Sequence, residues 1–317
     1  MNKIILDTDP GIDDAMAIFT AMAHPQIELL GLTTTFGNVS VDQATANALT
    51  LVEMAGVDVP VARGVASPWR KDLAPFPDFV HGEDGFGNLK LDPPKTAAID
   101  ACAAQFIVDQ VNANPGEVTL VAIGPLGNLA TALQMDPSIA QKVKQVVIMG
   151  GVIAADGNVS PVAEANILSD PHAADKVMAA PWKVVIVGLD VTHQVVLSNA
   201  LFAKIREQNQ KVGAFMSDAA QFYIDFYTSV RDIDGCYAHD VSAVAYVVEP
   251  DIFKTIEGEV CVAVDGVAIG QMIMSRFGIP YPLTFWNDRP KQLACMEVDA
   301  ARLVNLFETQ MTSDFWK

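Results

Sequence analysis

Short apolar runs alternate with segments of helical periodicity along most of the chain. Aliphatic and β-branched runs occupy residues 3–6, 28–35, 118–123, 146–149 and 183–189. Continuous apolar runs of this length are typical of strands buried on both faces. Helical patterns lie at residues 15–23, 41–55, 126–134, 171–179 and 200–207, and again at 241–248 and 300–310. The alternation predicts an α/β fold with an open, mostly parallel sheet flanked by helices.

Residues 64–96 interrupt this alternation. The segment holds five prolines and several glycines and shows neither period. An irregular segment of this length inside a compact domain usually has a functional role. Because no repeat, low-complexity tract or linker divides the chain, we predict one domain over residues 1–317, with residues 64–96 as a long active-site loop.

The composition excludes several classes of protein. The 317 residues include 38 acidic and 20 basic side chains, a formal net charge of -18, and 51% are hydrophobic. This apolar content argues against intrinsic disorder. The negative charge argues against nucleic acid or an anionic membrane surface as a partner, since both attract Lys and Arg. A small-molecule ligand is therefore the expected partner.

The sequence also predicts a compartment. The four cysteines form no CxxC pair, which is typical of reduced thiols in a cell interior. The apolar N-terminal run ends at Asp7, too early for a signal peptide, and the apolar stretch 118–133 is broken by Gly and Pro. We expect a soluble, cytoplasmic protein.

The strongest chemical signal follows the first predicted strand. Residues 7–14 read DTDPGIDD and place Asp7, Asp9, Asp13 and Asp14 across a strand end, a Pro-Gly turn and a helix start. The ligand crevice of such sheets lies beyond the carboxyl ends of the strands. Carboxylates that crowd there repel one another unless a cation lies among them, and hard divalent cations prefer oxygen ligands. The alternative is a solvated turn in which the acids cap the helix.

Two known motifs can be compared with this run. A calcium-binding EF-hand loop that begins at Asp7 needs Gly at its sixth position and Glu at its twelfth. Ile12 and Ile18 occupy those positions, which excludes the motif. A Mg²⁺-dependent aspartyl-phosphate phosphatase would use Asp7 as its nucleophile. Pro10 and Gly11 replace the Gly-Thr or Gly-Val expected after its two aspartates, so this alternative is weakened but stays open.

Polar residues follow other predicted strands as well. Residues 33–38 end in Asn38, and residues 123–128 (IGPLGN) follow a later strand. The loop after Met149 leads to residues 163–166 (AEAN), and a His-Asp pair precedes the helix at 241–248. Singly, such residues have ordinary explanations, for example an N-cap role for an Asp at a helix start.

Taken together, these segments resemble the inosine-uridine nucleoside hydrolase family. The resemblance starts at residues 7–15 (DTDPGIDDA) and continues in order through 33–38, 81–85, 147–151, 163–166, 188–192 and 239–240. It implies an open α/β sheet, a tightly held Ca²⁺, and a homodimer or homotetramer. The implied reaction is hydrolysis of the N-glycosidic bond of ribonucleosides to ribose and free base, as in purine and pyrimidine salvage.

The resemblance also implies a metal site. Asp9, Asp14 and Asp240 match the carboxylate ligands of calcium, and the backbone carbonyl of Ile123 matches a main-chain ligand. Asp9 matches the general base, which takes a proton from a calcium-bound water. A divalent cation lowers the pKa of such a water, so the two roles are compatible. Asp7 would orient the ligands.

Further matches concern the nucleoside. The family's ribose-contacting positions correspond to Asp13, Asn38, Met149, Asn158, Glu164 and Asn166, with Asn158 beside the 5′-hydroxyl. His239 matches the leaving-group acid, since a histidine titrates in the useful range. His81 matches a residue near the base or the 5′ side. Tyr223 and Tyr227, spaced i, i+4, could protonate or stack on the base, with ordinary packing as the alternative.

The chain departs from the family pattern at two places. Ala165 stands where the family usually has an aromatic residue, which would change the packing around the ribose, and Val241-Ser242 replaces a common Pro-Cys pair. The sequence leaves the choice between purine and pyrimidine bases open. A non-catalytic, calcium-dependent ribose-binding protein that uses the same crevice remains a further alternative.

Overall fold

The computed structural model describes residues 1–276, 281–283, 286 and 288–317. Its strands are β1 Asn2–Thr8, β2 Ile27–Thr34, β3 Val61–Arg63, β4 Val118–Ala122, β5 Gln145–Met149, β6 Val184–Val187, β7 Val196–Ser198, β8 Gly235–Tyr237, β9 Phe253–Val262, β10 Met272–Ser275 and β11 Lys291–Val298. Its α-helices are α1 Ile12–Ala23, α2 Val41–Ala55, α3 Asp78–His81, α4 Ala103–Ala113, α5 Gly127–Met135, α6 Ala165–Ser169, α7 Pro171–Ala179, α8 Leu189–Thr192, α9 Asn199–Gln208, α10 Gly213–Arg231, α11 His239–Val248 and α12 Ala300–Met311.

In the described part of the chain, the main sheet has nine strands in the order β10-β9-β11-β6-β5-β4-β1-β2-β3. The pairings from β3 through β2, β1, β4 and β5 to β6, and the pairing of β6 with β11, are parallel. Within the described residues, the antiparallel pairings of this sheet are those of β9 with β11 and with β10, and β7 and β8 form a separate antiparallel pair. The predicted open, mostly parallel α/β sheet is therefore confirmed, while its antiparallel end was not predicted.

The strand order reverses beside β1. Strands β2 and β3, which follow β1 in the chain, lie next to it on one side within the sheet. Strands β4, β5 and β6 come later in the chain and lie on its other side. The loops that leave β1 and β4 diverge, and a crevice opens between them where α/β proteins bind ligands. Because Asp7 of β1 pairs with Ala122 of β4, the residues that follow these two strands lie side by side.

Both faces of the central strands are buried. Ile4 and Leu6 pack in the core that contains α1, α10 and α11, whereas Ile5 packs in the core on the other face, with α4 and α5. Burial of each such side chain contributes roughly 1.5–3 kcal/mol. This two-sided burial explains why the strands appear in the sequence as continuous apolar runs.

Local signals define most helix ends. Ser40 caps α2 through a 3.3 Å bond from the Gln43 amide, and α2 ends at Gly56 in the left-handed region. Asp170 caps α7 through a 3.1 Å bond from the Ala173 amide. Both helices have the predicted bounds.

Some predictions need correction. The predicted strand at 183–189 is shorter, since β6 ends at Val187 and Gly188 caps the helical turn that starts at Leu189. Residues 64–96 contain one short helix, α3, and are otherwise irregular. Within the described residues, no helix combines the length and the hydropathy needed to cross a membrane.

Candidate active site

The turn between β1 and α1 is built around Asp14. Its carboxylate lies at the third position of α1 and accepts hydrogen bonds from the Gly11 amide at 3.0 Å and the Thr8 hydroxyl at 2.5 Å. Asp14 thus does contribute to the helix cap, as the alternative proposed. The side chain is nevertheless 0% exposed, so the description of this turn as a solvated one is wrong.

Asp9 directly follows β1, the strand beside which the strand order of the sheet reverses. Its Oδ2 accepts a 2.7 Å hydrogen bond from the Asn38 amide. Its Oδ1 is buried and has no hydrogen-bond partner among the residues that the structure describes. A Cβ on Gly124 would lie only 2.3 Å from that oxygen, so the turn after β4 requires glycine. Asp9 therefore holds one buried oxygen that no described residue compensates, against the turn after β4.

A second group of carboxylates lies close by. Asp13, Asp14 and Asp240 each offer an oxygen, and these three oxygens lie within 4.8 Å of one another. Oδ1 of Asp13 is also buried without a hydrogen-bond partner within the described ranges. Buried, all-oxygen donors with unpaired atoms fit a hard divalent cation. Asp9 lies outside this close group of three.

The raised pKa values of these carboxylates also indicate a site for a divalent cation. Burial raises the pKa of Asp13 to about 6 and that of Asp14 to about 6. Burial, followed by the nearby Asp14 carboxylate, moves the pKa of Asp9 well above its usual range. Burial and Asp13 do the same to Asp240. A positive charge among these carboxylates would reverse the shifts, because it favours the ionised form.

Asn166 joins the ends of β4 and β5. Its amide nitrogen donates to the carbonyl of Ile123 at 2.9 Å and to the carbonyl of Met149 at 3.1 Å. Glu164 caps α6 and also accepts a 2.8 Å bond from the Gly151 amide, which fixes its carboxylate against the β5 loop. Ile123 is one of the residues that line the cleft, and its carbonyl as a metal ligand stays a prediction.

A chain of hydrogen bonds runs along one wall. Nδ1 of His239 is 2.8 Å from the Thr192 hydroxyl, and its Nε2 is 2.8 Å from the Tyr227 hydroxyl. The Tyr227 and Tyr223 hydroxyls are 3.4 Å apart, and the Tyr223 hydroxyl donates to Asp13 at 3.1 Å. Burial lowers the pKa of His239 well below its ordinary value. The wall thus links a neutral imidazole to the carboxylate cluster.

His81 brings the irregular segment to the same place. Its Nδ1 accepts a 3.3 Å hydrogen bond from the Ile12 amide and lies 3.9 Å from Oδ1 of Asp13. Its ring centroid is 5.4 Å from that of Tyr223. Burial lowers the pKa of His81 to about 4, so the ring is neutral at neutral pH. The segment at 64–96 therefore supplies part of the site.

Most of these residues line one cleft of about 590 Å³, but Asp9 and Asp14 are buried and are not among its lining residues. The predicted residues on its surface are Asp13, Asn38, His81, Ile123, Met149, Asn158, Glu164, Asn166, Tyr223, Tyr227, His239 and Asp240. Asp7 lies deeper, where it accepts hydrogen bonds from Thr33 at 2.5 Å and Asn128 at 2.8 Å. Asp240 belongs to α11 itself, and Ala238 is the N-cap, so the N-cap interpretation of Asp240 is wrong.

Comparison with known proteins identifies the family. Residues 4–305 match the model of the family described as "Inosine-uridine preferring nucleoside hydrolase". The chain belongs to this family. It is 41% identical over 310 residues to "Probable uridine nucleosidase 2" of Arabidopsis thaliana, covering 96% of this chain and 95% of the relative. It is also 41% identical to an "Inosine-uridine preferring nucleoside hydrolase" of Leishmania major, over 88% of this chain and 89% of the relative.

The fold agrees with this assignment. A solved plant nucleoside hydrolase, PpNRh1, superimposes with a TM-score of 0.94 at 38% identity, covering 98% of this chain and 99% of the other. The protein is thus an N-glycosyl hydrolase of the nucleoside hydrolase family. The phosphatase and the non-catalytic alternatives are wrong on this ground. Asp7 is in addition 1% exposed, a poor position for a nucleophile.

Sequence reasoning missed some residues of this nucleoside hydrolase site. Thr192 holds the His239 ring, and Lys71 and His193 line the cleft. Thr192 ends the family segment 188–192, so that segment could have indicated it. The position of Lys71 depends on the path of an irregular loop, which no periodicity reports.

Proposed function

We propose that this nucleoside hydrolase acts on ribonucleosides and releases ribose and the free base. The observation that carries the proposal is that one cleft holds both a buried carboxylate cluster and a wall with a chain of hydrogen bonds. That chain runs from His239 through Tyr227 and Tyr223 and is called the His239 wall. The first can activate water and stabilise positive charge, and the second can reach a leaving base. The relatives named for uridine and for inosine-uridine support this substrate class.

The proposed cofactor is Ca²⁺, held by Asp9, Asp14 and Asp240 and by the carbonyl of Ile123. The unpaired Oδ1 of Asp9 and the close oxygens of Asp14 and Asp240 support it. The Ile123 carbonyl accepts one hydrogen bond from Asn166 and, with two lone pairs, keeps one free. A bound divalent cation supplies positive charge that neutralises the cluster and makes nearby water more acidic. Ca²⁺ accepts more ligands and looser geometry than Mg²⁺, which suits this irregular donor set.

Asp9 is proposed as the general base. Its buried carboxylate has a raised proton affinity and, within the described residues, one oxygen without a hydrogen-bond partner, so it can take a proton from the attacking water. Cleavage of the glycosidic bond passes through a ribosyl transition state with oxocarbenium character. Asp13 and Glu164, both buried in the cleft wall, supply negative charge beside it.

The remaining polar residues are proposed to position the ribose. Asp13, Asn38, Glu164 and Asn166 would bind its hydroxyl groups. Asn158, whose Oδ1 accepts a 3.1 Å bond from the Ala165 amide, would lie beside the 5′-hydroxyl, and Met149 would pack near the sugar. Fixed contacts of this kind place the anomeric carbon against the water and lower the entropic part of the barrier.

The leaving base is proposed to receive its proton from the His239 wall. His239 contacts the Tyr227 hydroxyl, and Tyr223 continues the chain to Asp13. His81, beside Tyr223, would border the base or the 5′ side. A proton that His239 takes up from solvent can pass through the Tyr227 hydroxyl to the base, and the imidazole is neutral again afterwards.

The family resemblance supports three further proposals. The chain acts as one domain, with residues 64–96 as its active-site loop. It assembles as a homodimer or homotetramer. It works in the cytoplasm, in nucleoside salvage.

A turnover panel tests the proposed function. Inosine, adenosine, uridine and cytidine are each incubated with the purified protein, and the release of ribose is measured with calcium and with a chelator. We expect release from at least one nucleoside, its loss with the chelator, and its return when calcium is restored. Absence of ribose release from all four in excess calcium would contradict the proposed function, and chelator-insensitive turnover would contradict the proposed cofactor.

A further inference from the structure

Three histidines line the cleft in the part of the chain that the structure describes: His81, His193 and His239. His239 has both ring nitrogens in contacts with hydroxyl groups, at 2.8 Å each. His81 accepts a hydrogen bond at Nδ1 from the Ile12 amide. No hydrogen bond involves the ring of His193 within the described ranges, so both of its nitrogens remain available to a ligand.

Neighbouring rings hold His193 in place. Its centroid lies 4.7 Å from that of Tyr237 and 5.7 Å from that of His239. The backbone amide of His193, at the C-terminal end of α8, donates to the Leu189 carbonyl at 3.3 Å. The imidazole is thus a packed, oriented group beside the residue that the proposed function places at the leaving base.

The protonation state of His193 suits recognition of a neutral ligand. Burial lowers its pKa, the charge of Arg231 lowers it further, and Asp190 opposes both effects. A neutral imidazole offers one donor and one acceptor. Uracil and hypoxanthine each present a ring N–H next to a carbonyl at their polar edge. The acceptor nitrogen of the imidazole can bind that N–H, or its own N–H can bind that carbonyl.

We propose that His193 is a specificity-determining residue, whose ring hydrogen-bonds the polar edge of the nucleobase in the substrate. The inference rests on the proposed function and deepens it, because it identifies a group that contacts the base and not the ribose. A site built to hydrogen-bond a substrate group discriminates against ligands that lack that group.

The test compares two substrates in two variants. The parent, His193→Ala and His193→Gln are assayed with inosine and with p-nitrophenyl riboside, whose leaving group lacks a ring N–H and a carbonyl. His172→Ala is the matched control, since His172 lies on α7 and is not part of the cleft lining.

For His193→Ala we expect kcat/KM for inosine to fall about tenfold, mainly through KM, as for a lost hydrogen bond. The p-nitrophenyl riboside should change less than about twofold, and the Gln variant should recover part of the loss. Equal losses on both substrates would mean a structural role and overturn the proposal. An unchanged kcat/KM for inosine would overturn it as well.

Titration with free hypoxanthine separates this inference from the proposed function. We expect the Kd of hypoxanthine to rise about tenfold in His193→Ala and to stay unchanged in His172→Ala. A parent that binds hypoxanthine through His193 but releases no ribose would refute the proposed function alone. Equal affinity of the parent and the His193→Ala variant, or no binding by either, would refute the role of His193.

Discussion

The hydroxyl of Tyr227 lies 2.8 Å from Nε2 of His239, deep in the wall of the cleft. The imidazole has its other nitrogen on Thr192, and burial keeps its pKa well below the ordinary value. The sequence suggested His239 as the leaving-group acid, and that role stays a prediction. Because burial favours the neutral imidazole, His239 would first take up a proton from solvent, and the Tyr227 hydroxyl at its Nε2 can pass that proton to the leaving base.

Tyr227→Phe tests this chain, because it removes the hydroxyl and keeps the ring. We expect kcat for inosine to fall by about 10- to 100-fold, as for loss of general acid assistance, with little change for p-nitrophenyl riboside. Steady-state kinetics with both substrates give the comparison. Tyr237→Phe is the control, since its ring packs 5.0 Å from that of Tyr227 but its hydroxyl belongs to no such chain among the described residues. Similar losses in both variants would contradict the role of the Tyr227 hydroxyl.

Asp9→Asn tests the general base. The amide keeps the shape of the side chain but cannot accept a proton, so turnover should fall by about 10²–10⁴-fold. Binding of ribose should weaken much less, because Asp9 is proposed to act on water and on the cation. Turnover and ribose affinity are measured in excess calcium. Asp109→Asn, at an exposed position on α4, serves as control. Turnover equal to that of the parent would remove Asp9 from the mechanism.

Removal of the metal should lower stability in a pH-dependent way. Asp13 and Asp14 have pKa values of about 6 in the folded protein, raised from 3.8. The stability linked to such raised groups is present below about pH 4 and is lost as the pH rises through about 6. The metal-free protein should therefore lose Tm between pH 5 and pH 8, and the Tm difference between calcium and chelator should widen over this range.

Thermal unfolding at both pH values measures that difference, with Asp240→Asn as a variant that should shrink it. A Tm difference of the same size at pH 5 and pH 8 would contradict the proposed coupling of cation and carboxylates.

The single substitution Asp7→Asn should change how the stability of the protein depends on pH. Burial raises the pKa of Asp7 to about 7 from 3.8, despite hydrogen bonds from Thr33 and Asn128 that lower it. The stability that protonated Asp7 contributes is fully present below about pH 3.8 and is lost as the pH rises through about 7. Since Asn cannot ionise, the Tm of the variant relative to that of the parent should rise between pH 5 and pH 8.

The matched control is Asp136→Asn. Hydrogen bonds from Ser138 and Asn112 lower the pKa of Asp136 to about 2, so it is ionised at both pH values and its replacement should add no pH dependence. An Asp7→Asn variant that behaves like Asp136→Asn would show that Asp7 does not titrate in this range.

Sequence patterns predicted the parallel centre of the sheet because burial on both faces leaves continuous apolar runs. Ile4, Ile5 and Leu6 show it, since they alternate between two cores yet all are buried. The antiparallel end formed by β9, β10 and β11 was not predicted. β9 and β11 mix buried with exposed and partly buried positions, which leaves a weaker signal in the sequence, and some of the pairing partners lie far apart in the chain.

The sequence by itself determined the family, the fold class and the identities of the polar residues at the strand ends, because these depend on local order along the chain. Tertiary structure decided which atoms are free. Among the residues that the structure describes, it left Oδ1 of Asp9 and the ring nitrogens of His193 without hydrogen-bond partners, and it occupied both nitrogens of His239. Hydrogen-bond saturation and burial depend on segments distant in sequence, and these physical quantities set the protonation states on which the chemistry depends.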